Sequence, residues 1–165
     1  MKIGKGVEWA AHTCALLALL PAGSALPGDA LADFLGVPSP YLAKQLQALS
    51  RAGIVSAKRG VAGGYRLSRL PETVSLWDIT AAIEGTKPSF RCTEVRRSGP
   101  CGASRDECGR PCSIAAAFQR AETGYRESLS ATSLTNVVSE IASDASPERK
   151  RRIIEWIEAH AARAA

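Results

Sequence analysis

Four of the five cysteines fall between residues 92 and 112, spaced Cys92-x8-Cys101-x6-Cys108-x3-Cys112. The stretch that carries them, "RCTEVRRSGPCGASRDECGRPCS", is rich in Arg and Gly and poor in apolar side chains, so it cannot bury itself in a core. Thiols in such a loop can pair as disulfides, bind zinc, hold an iron–sulfur cluster or switch by oxidation. Structural zinc favours tight C-x2–4-C pairs, and only Cys108-x3-Cys112 comes near that spacing. An iron–sulfur cluster tolerates wider spacing, because its irons spread the ligands and a flexible loop can wrap it. Disulfides call for an oxidising compartment, or for a reversible switch in a reducing one. Residue types alone leave these readings open. The fifth cysteine, Cys14, lies on the apolar face of a helical run and reads as core.

The compartment bears on the choice. "MKIGKGVEWAAHTCALLALLPAGSALPG" has two lysines, an apolar run and small residues, much like a secretory signal. Glu8 and His12 sit in or beside that run, however, and a hydrophobic insertion segment disfavours both. The same residues read as an amphipathic first helix over 5–20, with Val7, Ala11, Cys14, Ala15 and Ala18 near one face, ended by Pro21 and Gly23. A cytoplasmic protein without a membrane span is expected. The 165 residues are 45% hydrophobic and 22% charged, with a net charge of +5, the balance of an ordinary globular chain. Charge is unevenly placed: from Val37 to Leu70 there are Lys44, Arg51, Lys58, Arg59, Arg66 and Arg69 and no acid. A solvated face usually mixes signs, so this run points to a polyanion such as double-stranded DNA. No Ser/His/Asp, P-loop or metal-hydrolase pattern is present, and there are only two histidines, so an enzyme is not expected.

The elements that would position these residues follow from periodicity. "LPGDALADFLGVPSPYLAKQLQALSRAGIV" reads as helix, tight turn, helix. Leu31, Phe34 and Leu35 give the first an apolar side, Gly36 breaks it, and Ser39 reads as an N-cap with Pro40 at the first helical position. In the second helix Leu42, Leu46 and Leu49 stack on one side, which turns Pro40, Lys44, Gln47 and Arg51 outward with Tyr41 at the margin. Gly53 closes the helix. Ile54–Lys58 and Gly64–Leu67 then read as two extended pieces around a basic, Gly-rich tip at Arg59–Gly63. A helix over 76–84 packs behind. After the cysteine loop, Ile114, Phe118, Ala121 and Tyr125 recur at steps of four and three, a coiled-coil-like seam for a partner helix. "SLTNVVSEIA" reads as a helical turn or two, and a last helix starts at Ser146 and Pro147. The expected fold is mainly α with a small β-hairpin. It comprises a winged helix-turn-helix DNA-binding domain (1–88), a cysteine-rich cluster-binding loop (89–112), and a long dimerisation helix with C-terminal helices (113–165). The 38–51 helix alone is also compatible with an ordinary amphipathic surface helix; the basic tip, where Arg59 can reach a narrow minor groove, favours DNA.

"LADFLGVPSPYLAKQLQALSRAGIVSAKRGVAGGYRLSR" resembles the DNA-binding core of the BadM-type regulators, the group of the iron–sulfur regulator IscR and the nitric-oxide sensor NsrR. The resemblance runs on through "SLWDITAAIEG" and the cysteine loop to the long helix, about 140 residues. It is nearest to the RsrR-like redox sensors, through "GVEWA.H.C", "CTE.R..GP" and "C...C.IA". It implies a dimeric winged-helix repressor that binds a double-stranded operator and senses redox or iron–sulfur status. Ser39, Pro40, Tyr41, Lys44, Gln47, Arg51, Lys58, Arg59 and Gly63 would then face DNA.

By the same resemblance Cys92 and Cys112 match the most persistent cluster-ligand positions, and Cys108 precedes Cys112 as in the nearest subgroup. Cys101 has no clear counterpart. Glu8 matches a carboxylate that completes the cluster from the partner subunit in several members. Leu35 departs from the subgroup, which has a histidine there. The implied cofactor is an iron–sulfur cluster, [2Fe–2S] favoured over [4Fe–4S], with its fourth ligand from Cys101, Cys108 or His12. Zinc or a metal-free thiol–disulfide switch is the alternative.

Overall fold

In the computed structural model the described residues are 3–58, 60 and 63–163. The first helix, α1 (Lys5–Leu17), buries Val7, Ala10, Thr13, Cys14 and Leu17, which recur at steps of three and four. The Thr13 hydroxyl is buried among apolar groups and donates to the Trp9 carbonyl at 2.7 Å, which leaves no unpaired polar atom there. α1 stops short of the expected residue 20. The Leu19 and Leu20 N–H groups bond back only three residues, to the Leu16 and Leu17 carbonyls, and the tighter turns end the helix.

A short strand β1 (Ser24–Ala25) leads into α2 (Gly28–Leu35) and α3 (Ser39–Arg51). Gly36 takes the left-handed conformation (φ 63°) and caps α2, as the turn between the helices requires. Ser39 is not the cap expected from the sequence. The Pro38 carbonyl already accepts from Tyr41 and Leu42, so the helical ladder starts one residue earlier and Ser39 lies inside its first turn with no capping bond.

Strands β2 (Val55–Lys58) and β3 (Gly64–Leu67) pair antiparallel, with Val55 opposite Leu67 and Lys58 opposite Gly64. The hairpin is tied to the body by reciprocal bonds between Leu26 and Tyr65, at 3.0 and 2.8 Å. Gly64 (φ 154°) lies so close to this crossing that a Cβ there would sit 2.6 Å from the Leu26 carbonyl carbon and oxygen. Only glycine fits.

α4 (Leu76–Glu84) begins with a capping box in which Ser75 Oγ accepts from the Asp78 N–H at 3.0 Å and the Asp78 carboxylate accepts from the Ser75 N–H at 2.9 Å. After the cysteine loop come α5 (Ser113–Ala131), α6 (Leu134–Asp144), α7 (Pro147–His160) and β4 (Ala162–Arg163). The expected "turn or two" is an 11-residue α6, because Ser133 caps it and Leu134 is fully buried at its start. Ser146 caps α7, as expected. β4 pairs antiparallel with β1 and has no strand pattern in the sequence. Its pairing follows from α7, whose Trp156 packs on Phe34 of α2 with ring centroids 4.7 Å apart.

The core lies beneath α3. Leu42, Leu46 and Leu49 meet Leu26, Leu31, Ile54 and Ile79, all at or below 1% exposure, and Leu134 and Ile157 extend the same cluster from α6 and α7. Each such side chain contributes about 1.5–3 kcal/mol by leaving water, which fixes α3 on its inner side. Cys14 lies in this core, as expected, and burial pushes its thiol pKa up to about 12.

Candidate nucleic-acid interface and cysteine loop

Burying three leucines on one side of α3 leaves the other side to solvent. Pro40, Tyr41, Lys44, Gln47 and Arg51 are exposed, Tyr41 to 59%, while Ser39 is half-buried. Tyr41 meets Trp9 of α1 edge-on, with centroids 6.4 Å apart, so the outward face is braced from one flank. At the hairpin, Lys58 is exposed at the end of β2, and the Gly63 N–H closes the tip onto the Gly60 carbonyl at 2.8 Å. Arg59 lies outside the described residues. Arg66 is exposed and its Nε stands 3.4 Å from Ser56 Oγ. Arg69 has a different job: its guanidinium donates to the Thr73 carbonyl and stands 3.7 Å from the Asp78 carboxylate, fastening the hairpin to α4. The α3 face and the hairpin thus present Lys44, Arg51, Lys58 and Arg66 from a stretch that contains no acid.

The cysteine loop is organised by one guanidinium. Arg96 donates from Nε to Glu94 Oε2 at 2.8 Å and from Nη2 to the Arg110 carbonyl at 2.6 Å, spanning the two ends of the loop. Glu94 takes the left-handed conformation (φ 55°), which places its carboxylate back toward Cys92. The Cys92 thiol faces Glu94 Oε1 at 3.6 Å and accepts from the Glu94 N–H at 3.4 Å. The Arg96 hydrogen bond holds the Glu94 carboxyl below its usual range. Cys108 and Cys112 both act electrostatically on the same Arg96 charge. Cys112 immediately precedes α5; its side chain makes no capping bond, but the backbone N–H groups of Ala115 and Ile114 at the start of the helix, with Arg96, lower its pKa. Cys92, Cys108 and Cys112 are half-buried, whereas Cys101 is exposed.

Of the four loop cysteines expected as candidate ligands, Cys92 is linked to Arg96 through Glu94 and Cys108 and Cys112 act on its charge, whereas Cys101 is exposed; periodicity did not reveal that cation. Among the described residues no three Cys, His, Asp or Glu side chains lie close enough to hold a metal ion. Glu8 is exposed on α1 and is not grouped with the thiols, and His12 is exposed on the same helix.

A second set of residues, also unforeseen, anchors the loop to α5. Arg126 donates to Glu122 Oε1 at 2.6 Å and to the Thr86 carbonyl at 2.9 Å, and lies 4.9 Å above the Trp77 ring of α4. Glu122 also accepts from the Ser89 N–H at 3.1 Å, and Phe90 stacks on Phe118 at 4.6 Å. The Glu122–Arg126 spacing is a visible i,i+4 pair, but its partners Trp77, Thr86 and Ser89 come from distant sequence. The expected seam is divided by this packing. Tyr125 is half-buried edge-on against Trp77, Phe118 stacks on Phe90 yet stays 52% exposed, and Ile114 and Ala121 are exposed.

Comparison with known proteins agrees with this layout. The model of the Rrf2 family, described as iron-dependent transcriptional regulators, matches residues 3–140. An HTH-type transcriptional regulator of Lactococcus lactis is 29% identical over 140 residues, covering 85% of this chain and 88% of that protein. One from Synechocystis is 46% identical over 74 residues, 45% of this chain, and the match spans half of that relative's length. Among solved structures, the IscR of T. potens superposes with a TM-score of 0.65 at 18% identity, covering 88% of this chain and 93% of the other. The winged-helix fold is shared, and the proteins matched are regulators rather than enzymes. A helix-turn-helix with an acid-free outer face, a hairpin wing and a family match over most of its length place the chain in one group: it belongs to the Rrf2 family of transcriptional regulators.

Proposed function

We propose that the protein is a cytoplasmic, homodimeric repressor whose grip on double-stranded DNA is set by an iron–sulfur cluster held in the 91–112 loop. The observation that carries this reading is the placement of half-buried Cys108 and Cys112 within the field of Arg96, with Cys92 bonded to the Glu94 that the same arginine holds. The donor chemistry suits such a group. Thiolates are soft ligands for iron, and a guanidinium offsets the negative charge that ligated thiolates bring together. Cys92, Cys108 and Cys112 would hold it, with an exposed carboxylate, Glu8 of α1, free to serve the loop of a partner subunit. When bound, a [2Fe–2S] group supplies one-electron redox chemistry. The chain's own part is mechanical: Arg96 joins the two ends of the loop, and the Arg126–Glu122–Trp77 contacts join the loop to α4 and α5.

Dimerisation is supported by the outer face of α5. Ile114, Ala117, Ala121, Gly124, Ser128 and Ala131 are all exposed and recur at alternating steps of three and four, so that a second helix can approach closely. The face lies beside the Ile114–Phe118–Ala121–Tyr125 line, sharing Ile114 and Ala121 with it. Two-headed reading makes half-site spacing strict, so a small tilt of the heads changes affinity strongly.

A specific observation favours a second reading, a metal-free thiol–disulfide switch. Cys112 stands at a helix N-terminus, where the backbone N–H groups and Arg96 lower its pKa, the setting that makes a thiol reactive. One experiment separates the readings. Protein isolated without oxygen is assayed for iron, sulfide, zinc and visible absorption, and is used to select duplexes from random DNA. Iron with matching sulfide, lost in Cys92→Ala and Cys112→Ala, is expected. Zinc, or a colourless protein whose DNA affinity follows thiol oxidation, hands the loop to the alternative. Affinity for the selected duplex should fall roughly a thousandfold between 50 and 200 mM salt if about six phosphates are contacted, and Lys44→Ala should weaken it. Salt-independent binding would sink the DNA assignment.

A further inference from the structure

The family match ends at residue 140, and α7 lies beyond it. Where α7 packs back on the body, it closes one side of a half-open groove of about 550 Å³ whose other walls are α1, α2 and α6. That volume falls in the range of small-molecule sites, roughly 300–1,000 Å³. The walls are apolar: Leu16 of α1 and Leu19 in the turn after it, Phe34 and Leu35 of α2, Val138 of α6 and Ile153 of α7. Three of the large hydrophobic side chains left exposed on the surface, Leu19, Ile141 and Ile154, gather here. The polar lining is unbalanced. Arg149, Lys150 and His12 face one acid, Asp144, and neither Arg149 nor Lys150 lies within ion-pair distance of a carboxylate among the described residues.

We propose that this groove binds an amphipathic anion, a medium-chain carboxylate whose tail lies between α1 and α6 and whose head pairs with Arg149 and Lys150. Apolar walls of this size call for a flexible hydrocarbon, and the excess of unpaired cations selects its charge. Leu35 gains a role by this assignment: it is part of the wall that receives the tail. α1 lines the groove with one face and braces Tyr41 of α3 with Trp9, so an occupant presses on the helix that positions the outward face of α3. The site contains no cysteine and stands whether or not the loop carries a cluster.

The test is titration calorimetry on the full chain with sodium octanoate, decanoate and dodecanoate below their micelle concentrations. Affinity should rise about fourfold per methylene until the groove is full, and decanoate should bind at least tenfold more tightly than decyltrimethylammonium. Arg149→Ala with Lys150→Ala should erase that preference. Ala142→Trp, at an exposed lining position on α6, should block binding by filling the groove. Ile154→Glu, at a 56% exposed position, should weaken carboxylate binding by placing a negative charge at the mouth. Absence of binding, affinity indifferent to chain length or to head-group charge, or full affinity in both Ala142→Trp and Ile154→Glu would overturn the proposal.

Discussion

The α2–α3 head and the cysteine loop are built on opposite physical terms. In the head, Leu42, Leu46 and Leu49 are at or below 1% exposure, and apolar packing decides where each polar side chain points. In the loop no residue from 91 to 112 is buried, and shape is held by polar bonds: Glu94 to Arg96, Arg96 to the Arg110 carbonyl, and a turn in which Glu107 and Ser104 exchange bonds. A packed element is rigid because many contacts must break together. A loop held by a few exposed polar bonds can rearrange around a bound group or a new disulfide at small cost. The molecule keeps its basic, acid-free outer face on the first kind of structure and its thiols on the second.

The contrast is broken most directly by deletion. Leu46→Ala should destabilise the fold by about 2–5 kcal/mol, the usual cost of a buried leucine and its cavity, whereas Cys101→Ala, at an exposed position, should stay within about 0.5 kcal/mol. Urea melts of metal-free protein measure both. Equal losses would mean that the loop is part of the cooperative core. Gly64→Ala is the next largest effect. Its Cβ would meet the Leu26 backbone at 2.6 Å in a left-handed conformation, so a loss of roughly 1–3 kcal/mol is expected as the Leu26–Tyr65 crossing opens. A neutral result would show that the hairpin is not tied to β1 in solution. Ser75→Ala removes one half of the α4 capping box and should cost about 1 kcal/mol in the same melts.

The same contrast explains what the sequence could reveal. The leucine periodicity of α3, the Gly36 break, the two strands of the wing and the Cys14 core position are direct consequences of burial, and burial leaves a period. The Ser39 cap was misplaced by one residue because either Pro38 or Ser39 can begin the ladder, and the choice depends on the incoming turn. β4 has no signature because its pairing is imposed by Trp156 stacking on Phe34. In the loop, cysteine spacing identified the thiols. That Arg96, one of several arginines there, should be the residue they gather around depends on Glu94 taking φ 55°, and no periodicity records that. The packing of α5 is hidden for a related reason: Phe118 and Tyr125 also have partners inside the chain, Phe90 and Trp77, which come from distant sequence.

The smallest effect expected is the sharpest test of the two environments, because it sets two thiols of one protein against each other. Burial raises the Cys14 pKa to about 12, while the backbone N–H groups at the start of α5 and Arg96 lower that of Cys112 beneath its ordinary value of 9.0. In the reduced, metal-free protein iodoacetamide should therefore label Cys112 several-fold faster than Cys101 near pH 7, since the thiolate is the reactive form. Cys14 should label only as the protein unfolds. Their effects on stability have opposite signs. Cys112 is ionised more readily in the fold, so its contribution is present above pH 9 and is lost as pH falls through its lowered folded value. Cys14 is held neutral, so its contribution is complete below pH 9 and is lost as pH rises toward 12. Cys14→Ala should flatten the alkaline fall in stability and leave the neutral labelling rate of Cys112 unchanged. Arg96→Ala should slow that labelling only modestly, because the backbone N–H groups at the start of α5 are the larger cause. Equal rates at Cys112 and Cys101 would show that the N-terminus of α5 does not activate the Cys112 sulfur in solution, and the two thiols would then share one environment.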